Sequence, residues 1–405
     1  MIWEIAFWLG LGVSLIAGFF YFRELGDISQ MFFRIKRRNL VWVIRHEYKI
    51  FSLGLLGAAV SSLAYLAFGA GSGWVWFPAL AVWGLFYAFP YIWLHAGMRT
   101  KTGNATYYSI EEARAYVSPS NEVLVIENEG VARAHPDGEV LRPHVVGNSE
   151  GFGGADVQMT YCGMSNLGLA YEPNIAGRPV KLEVMAQIAN NLILRDNNSG
   201  EPVQQILGKR EREIDSDLAM TPWPTFRMTF RGFEKAYPQG SVYVNKPSSN
   251  PLLKLLDTAQ QIMFTWGITA QHRIDAPVID NMTHSDPRLA NKTYIWGVNI
   301  GDDAVCYTDD FVIHHAGPIN ATVGGRAIVV AYDGTYESVG VWYNDSGGPV
   351  RKIDFFGQSD RGPLQRVESL KPGMFWHVWA EYFPHTDINR SHDTEVSDSP
   401  AAQSA

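Results

Sequence analysis

Three long apolar runs in the first hundred residues constrain the fold of this chain more than any other feature. Residues 2–22, 50–70 and 74–98 are each about 20 residues or longer, enough to cross roughly 30 Å of hydrocarbon as an α-helix. Only Glu4 and His95 in these runs can carry a charge near neutral pH, and both lie close to the end of a run. The sequence therefore predicts that residues 1–100 form a transmembrane domain of three helices, with the lipid bilayer as its partner.

The distribution of basic residues predicts the orientation of these spans. The loop between the first and second spans is rich in basic residues, whereas the loop 71–73 reads Gly-Ser-Gly. Because Lys and Arg concentrate in cytoplasmic loops, we expect a multi-pass protein of the cell inner membrane with its remaining domain in the cytoplasm. The alternative is a periplasmic domain. The basic residues of the loop are Arg23, Arg34, Lys36, Arg37, Arg38, Arg45 and Lys49.

Charge and cysteine content exclude two classes of protein. The formal net charge is -8 and the isoelectric point is near 5.8, which argues against a nucleic-acid partner. Two cysteines, Cys162 and Cys306, are too few for a disulfide framework.

After residue 100 the sequence has the pattern of a mainly β protein. From about Glu122, short runs rich in β-branched and aromatic residues alternate with Gly, Asn, Asp and Pro. Leu252–Met263 has the clearest helical periodicity. We therefore predict a mainly β soluble domain with a few short helices.

Residues 123–171 and 295–343 resemble each other in the order of their motifs. Ala132 aligns with Ala304, and Asn148 aligns with Asn320. His135 falls on Tyr307, Cys162 falls on Asp333, and a Gly-Gly pair recurs with one residue of slip. This pattern predicts two related repeats.

The predicted domain boundaries follow from this duplication. The first β-rich unit covers residues 101–245 and the second covers 291–390, joined by a connecting segment with a short helix at 246–290. Residues 391–405 are polar and rich in Ser and Ala, so we expect a disordered tail.

Several motifs of the β domain are similar to those of an uncharacterised bacterial family, the domain-of-unknown-function family 3179. The similarity covers about residues 120–390, and the Thr-Tyr-Cys segment is its most specific part. The motifs are Ala132-Arg133-Ala134-His135-Pro136, His144 with Asn148, Gly153-Gly154, Thr160-Tyr161-Cys162, Asn190-Asn191-Leu192, and the closing set Phe375, Trp376, Trp379, Ala380, Pro384 and Thr386.

The resemblance implies a reactive sulfur or selenium atom, because many relatives read Cys-Pro-Leu-Cys here and some look like selenoproteins. This chain instead reads Cys162-Gly163-Met164-Ser165, so the turn cannot form a dithiol. Relatives often look exported, which conflicts with a cytoplasmic domain.

The residues around Cys162 allow three interpretations. The first is a metal site in which Cys162, His144, Met164 and His135 supply thiolate, imidazole and thioether ligands, a set that suits copper best. The second is a reactive thiol at Cys162, activated by a nearby imidazole such as that of His144. The third is structural, with Cys162 as a small buried hydrophobe.

The second unit adds two candidates. His315 lies near the position that corresponds to His144, and Asp333 corresponds to Cys162. If the units face each other, His144, Cys162, His315 and Asp333 can line one cleft.

These observations lead to two functional hypotheses. The first is a membrane-tethered metal- or thiol-dependent redox or accessory protein with its site at Cys162 and His144. The alternative is a non-catalytic structural or assembly subunit of a multi-subunit membrane complex, because three spans exceed what a simple anchor requires. The sequence does not decide whether the protein is an enzyme.

Overall fold

The computed structural model of the chain describes residues 1–279 and 281–390. The tail at 391–405 that we predict to be disordered lies outside these residues. The described part begins with three long helices and continues as a mainly β domain (residues 101–390), which confirms the predicted fold class.

The three N-terminal helices are long and apolar enough to cross a membrane: α1 (Ile2–Leu25), α2 (Arg37–Phe68) and α3 (Gly73–Gly97). Helices α1 and α2 approach closely at Gly10 and Gly57. A Cβ added at Gly10 would lie 2.6 Å from the Gly57 carbonyl oxygen, so only glycine permits this contact.

Helix α3 is irregular in its second half. Its hydrogen bonds widen over Gly84–Ala88 and again over Ile92–Gly97, and Pro90 lies between the two segments. Because proline lacks a backbone N–H, one α-helical hydrogen bond cannot form at Pro90, and the helix accommodates this with wider turns on either side.

The β domain consists of short strands and short helices, with one longer helix. The strands are β1 (Lys101–Thr102), β2 (Tyr107–Ser109), β3 (Glu122–Asn128), β4 (Val131–Pro136), β5 (Val145–Gly147), β6 (Gln158–Cys162), β7 (Leu167–Ile175), β8 (Arg178–Pro179), β9 (Leu182–Ile188), β10 (Asn191–Asp196), β11 (Glu201–Gln204), β12 (Lys209–Arg210), β13 (Met220–Trp223), β14 (Phe226–Thr229), β15 (Ser241–Tyr243), β16 (Tyr294–Ile300), β17 (Asp303–Thr308), β18 (Ile319–Val323), β19 (Arg326–Asp333), β20 (Ser338–Tyr343), β21 (Gln358–Ser359), β22 (Gly362–Pro363), β23 (Lys371–Phe375) and β24 (Asp387–Asn389). The helices are α4 (Ile110–Ala113), α5 (Asp137–Val140), α6 (Phe230–Ala236), α7 (Pro251–His272), α8 (Asp309–His314) and α9 (Trp376–Tyr382).

Two sheets of the β domain share one strand arrangement. The order is β14–β3–β4–β15–β2 in one sheet and β23–β16–β17–β24 in the other. Each sheet contains a central hairpin, followed along the chain by a short helix. A further strand, β15 or β24, pairs in parallel with the second strand of that hairpin. That the two units are related repeats stays a prediction, as do their boundaries.

The remaining strands form four further sheets in the described part of the chain. Their orders are β1–β5–β6–β7–β13 with β8 beside β7, then β12–β11–β10–β9, β18–β19–β20 and β21–β22. One apolar cluster contains residues of both units, among them Cys162, Leu169, Cys306 and Trp379. The units therefore share a core.

A network of charged side chains joins the long helices to the β domain. His95 of α3 contacts Glu47 of α2 through Nε2 and Glu183 of β9 through Nδ1, both at 2.7 Å. Arg195 of β10 donates to both carboxylates. Because Glu47 and Arg195 are almost fully buried, loss of either side chain would leave the other charge buried without this partner.

Candidate functional site

A polar cleft of about 400 Å³ lies where the two β units meet helix α7. This volume is in the range of small-molecule sites. We call it the polar cleft and define it by its polar side chains, which come from both units and from α7: Glu122, Asp137, Tyr161, Asn166, His272 and Tyr294. Leu141 and Ile268 form part of its apolar wall.

Strand ends place these side chains. Glu122 is the first residue of β3, and Tyr294 is the first residue of β16. Asp137 begins α5 directly after β4, and Tyr161 lies near the end of β6. Residues at the ends of buried strands are held rigidly by the sheet and still reach solvent, which suits a binding site.

A buried guanidinium beneath the cleft holds two carboxylates. Arg227 of β14 is 2% exposed, and its Nη1 donates to Glu122 Oε2 at 2.6 Å and also to Asp137 Oδ2. Its Nε donates to the Pro372 carbonyl oxygen at 3.2 Å. A Cβ added at Gly373, which has a φ of 67°, would lie 2.8 Å from Arg227 Cδ, so this glycine makes room for the arginine.

One arginine cannot neutralise both carboxylates, so the group has a net charge of -1 when both are ionised. Burial raises the pKa of Asp137 to about 6, against the opposing charge of Arg227, and the Glu122 carboxylate raises it further. Among the described residues, Asp137 Oδ1 has no hydrogen-bond partner. Asp137 is therefore a carboxyl of the cleft that takes up a proton around pH 6.

Tyr161 connects Asp137 to the interior. Its hydroxyl is 3.0 Å from Asn166 Oδ1 and 3.4 Å from Asp137 Oδ2. Burial raises the pKa of Tyr161 well above its usual value, and the Asp137 carboxylate adds to the effect, so the phenol stays protonated. Asn166 in turn donates to the Gly373 carbonyl oxygen at 2.7 Å, which fixes its side chain.

Helix α7 supplies a histidine whose environment favours the neutral ring. His272 Nε2 lies 2.6 Å from the Gly163 carbonyl oxygen, and its ring packs edge-on against Phe375. Burial lowers the pKa of His272. Lys292 Nζ lies 4.5 Å from the centre of the same Phe375 ring, and burial lowers the pKa of this lysine to about 8.

Cys162, next to Tyr161 in β6, is on the core side of the strand. It is 1% exposed within the shared apolar cluster, which also contains Met164. Its Sγ is 3.8 Å from the Asn190 carbonyl oxygen and 3.9 Å from Gln187 Oε1. Burial raises the pKa of the thiol, so the protonated form is favoured.

The two first-unit histidines have other partners. His144 Nδ1 lies 2.9 Å from the Tyr161 carbonyl oxygen, and its ring contacts Phe264 of α7. His135 contacts the Tyr107 hydroxyl at 2.9 Å through Nε2 and the Leu124 carbonyl oxygen at 3.2 Å through Nδ1. Burial lowers the pKa to about 4 for His144 and about 3 for His135, so both rings are neutral.

The second-unit candidates lie outside the polar cleft. His315 is exposed beside Phe311, and the Asp333 carboxylate accepts hydrogen bonds from the backbone N–H groups of Thr335 and Tyr336. Within residues 1–279 and 281–390, no group of three or more His, Cys, Asp or Glu side chains is arranged to hold a metal ion. The structure thus does not bring His144, Cys162, His315 and Asp333 together.

None of the side chains that define the polar cleft is among the site residues predicted from the sequence. One signal was present: Arg227 stands between the apolar residues Phe226 and Met228 of a strand, and a buried arginine requires carboxylate partners. Asp137 also follows directly on the motif that ends at Pro136. The partners themselves are about a hundred residues away along the chain, and spacing does not reveal them.

Comparison with known proteins identifies a family and no individual relative. No curated protein and no solved structure matches the chain. The model of one protein family, described as a protein of unknown function (DUF3179), matches residues 101–386, which is nearly the whole β domain. The chain therefore belongs to the DUF3179 family.

Proposed function

We propose that this protein is a membrane-anchored receptor or acid–base catalyst for a small polar molecule, which binds in the polar cleft. The observation that carries the proposal is the sharing of one buried guanidinium by two carboxylates at an open surface. In this arrangement the pKa of one of the two carboxyls, that of Asp137, is raised to about 6. Groups poised near the working pH are the ones that exchange protons with ligands.

The charge and shape of the cleft indicate the ligand. Glu122 and Asp137 give it a negative potential, which opposes anions. Tyr161, Tyr294 and Asn166 add hydrogen-bonding groups, and Leu141 and Ile268 form an apolar wall. A neutral or cationic molecule with hydroxyl or amine donors fits this chemistry, because the carboxylates accept hydrogen bonds.

The proton of Asp137 has a defined route. When Asp137 is protonated, its hydroxyl can donate to Tyr161 Oη while Tyr161 donates to Asn166 Oδ1. When a ligand donor approaches the Asp137 carboxylate, the negative form is stabilised instead. Binding is therefore coupled to proton release around pH 6.

The thiol and copper hypotheses, and the alternative of an assembly subunit, stay predictions. The geometry favours the polar cleft over Cys162 as the functional site. A thiolate needs a charged or exposed environment, and this thiol is buried in an apolar cluster. The polar contacts of the Cys162 sulfur are Gln187 and Asn190, whereas the His144 ring contacts the Tyr161 carbonyl oxygen and Phe264.

We also propose that α1, α2 and α3 cross the inner membrane with the β domain in the cytoplasm. The basic residues before and within the start of α2 support this orientation. Two of them, Arg37 and Arg45, pair with Glu211 and Glu201 of the β domain, so this end of α2 is on the same side as the domain. Protease access to the C-terminal tail in sealed vesicles tests the sidedness.

A ligand screen with matched variants tests the function. The purified full chain is mixed with neutral polyols, amines and small organic acids, and binding is followed by thermal shift and ligand-observed NMR. We expect polyols or amines to bind the native chain and to lose affinity for Asp137→Asn and Glu122→Gln.

The second unit provides the control. Asp309 begins α8 after β17 as Asp137 begins α5 after β4, and it lies outside the polar cleft. Asp309→Asn is expected to retain native affinity. Preferential binding of acids, or equal binding by the native chain and Asp137→Asn, contradicts the proposal.

A further inference from the structure

Helix α7 exposes a set of large apolar side chains although Phe264 and Ile268 of the same helix already pack against the apolar core. Its residues that face the protein include Asp257 and Gln260, which are 2% and 0% exposed. Its outward residues include Leu252 and Trp266, which are 75% and 76% exposed. A helix of a soluble domain buries its apolar side and exposes its polar side, so α7 requires another explanation.

The exposed apolar residues form one continuous stripe. They recur at intervals of three or four positions, which places them on one side of the helix. The stripe consists of Leu252, Leu255, Ala259, Ile262, Met263 and Trp266. Along one flank of it are exposed polar residues, namely Lys254, Thr258, Thr265 and Thr269. An apolar stripe with a polar flank is typical of helices that lie in a membrane surface.

The position of α7 supports the same conclusion. The helix packs on the end of α3: Gln260 Nε2 donates to the Trp93 carbonyl oxygen at 3.1 Å, and Phe264 contacts the Trp93 ring. A Cβ added at Gly97 would lie 2.0 Å from Gln260 Nε2, so the two helices are in direct contact. Helix α7 thus packs directly against the end of α3, a helix long and apolar enough to cross a membrane.

Buried polar contacts fix which side of α7 faces outward. Asp257 Oδ1 accepts from Arg99 at 2.9 Å and from Arg142 at 2.8 Å, and Asp257 Oδ2 accepts from the Ser248 N–H at 2.8 Å. Rotation of the helix about its axis would break these three hydrogen bonds and separate the carboxylate from both arginines. The apolar stripe therefore points away from the protein permanently.

We propose that α7 lies in the surface of the same bilayer that α1, α2 and α3 cross, with its apolar stripe among the lipids. The occupant of this face is the lipid surface, because α7 packs directly on the end of α3, a helix long and apolar enough to cross the membrane. The polar flank contributes Thr265 and Thr269 to the polar cleft, so the cleft opens beside the membrane surface. The proposal does not depend on what the cleft binds.

Single introduced cysteines provide a direct test. Cys162 and Cys306 are 1% and 0% exposed, so a nitroxide reagent labels an introduced cysteine selectively. The full chain carrying Leu255→Cys or Ile262→Cys is labelled and reconstituted in vesicles of phosphatidylcholine and phosphatidylglycerol. Collisions with oxygen, which concentrates in lipid, and with a water-soluble nickel chelate are measured for each label.

Thr258→Cys is the matched control, because Thr258 is an exposed residue on the polar flank of the same helix. We expect labels at Leu255 and Ile262 to collide several-fold more with oxygen than with the chelate, and the label at Thr258 to show the opposite preference. Equal access of the chelate at all three positions places the stripe in water and overturns the proposal. Exclusion of both reagents at Leu255 and Ile262 indicates a protein partner or a second copy, and also overturns it.

Discussion

The two sides of strand β6 differ sharply although their residues are neighbours. Tyr161 reaches the polar cleft, where it contacts Asn166 and Asp137, whereas Cys162 is enclosed in the apolar cluster shared by both β units. Successive side chains of a strand point to opposite faces, so adjacent residues can have unrelated environments. The conspicuous sulfur belongs to the core, and the less conspicuous phenol belongs to the site.

In this domain, the residues that stabilise the core are separate from the charged residues that line the polar cleft. On the cleft side, charged groups are partnered and partly open to solvent, and one carboxyl has a pKa near neutrality. On the core side, the environment favours neutral forms of the thiol and of the nearby histidine. Substitutions of cleft and core residues test this division.

Replacement of Arg227 should have the largest effect. Arg227→Met leaves Glu122 and Asp137 without their shared partner, and breaking a buried ion pair costs about 3–5 kcal/mol of unfolding free energy. Chemical unfolding of the purified chain in detergent, followed by tryptophan fluorescence, measures the loss. Arg231→Met removes an exposed pair with Glu337 and should change stability little. Similar losses for both variants contradict the assignment.

Acid should destabilise the β domain through His144. Its folded pKa of about 4 is below the usual value near 6.5, so the unfolded chain binds the extra proton. The stability contributed by the neutral ring is therefore complete above pH 6.5 and declines as the pH falls towards 4, by about 3 kcal/mol in total.

His144→Asn tests this pH dependence. Asparagine tolerates the positive φ of 67° at this position but does not titrate. Unfolding free energies measured between pH 4 and 7 should depend less steeply on pH in the variant. An unchanged slope assigns the acid sensitivity to other groups.

Cys162 should behave as a core residue. Cys162→Ser introduces a hydroxyl into an apolar cluster and is expected to cost about 1–3 kcal/mol, whereas Cys162→Ala should cost less than a polar substitution of similar size. In the native protein, thiol reagents should label Cys162 only on unfolding. Rapid labelling of Cys162 under native conditions, with Cys306 unmodified, restores the reactive-thiol hypothesis.

Tyr161→Phe should have the smallest effect on stability, about 1 kcal/mol, because it removes a hydroxyl that bonds within a partly open site. Its clearest effect is on Asp137. The hydrogen bond from Tyr161 lowers the pKa of that carboxyl, so its loss should shift the titration of Asp137 to higher pH. A shift to lower pH, or none, contradicts the proposed coupling of the two groups.

Some parts of this structure are readable from the sequence and others are not. The three long helices follow from apolar runs that only a bilayer requires, and the β class follows from short runs between turn residues. The site is different. All five residues of β6 are buried, so the strand has no alternation that distinguishes the side of Tyr161 from the side of Cys162.

The contacts that define the cleft are also remote in sequence. Arg227 is 90 residues from Asp137 and 105 residues from Glu122. A single sequence shows that a buried arginine needs carboxylates, but it does not show which ones. Nearness in sequence suggests a pairing of Cys162 with His144, but in the structure the two side chains have different polar contacts.

Titration of Asp137 directly tests the claim that the polar cleft holds a carboxyl with a pKa of about 6. Carboxyl carbons of aspartate are labelled with ¹³C in the full chain, and their shifts are followed from pH 3 to 9. We expect the aspartate signal that is lost in Asp137→Asn to titrate near pH 6 and to persist in Asp309→Asn. If the signal lost in Asp137→Asn instead titrates near the ordinary aspartate value of about 3.9, Asp137 is a plain salt-bridge partner and the cleft has no poised proton.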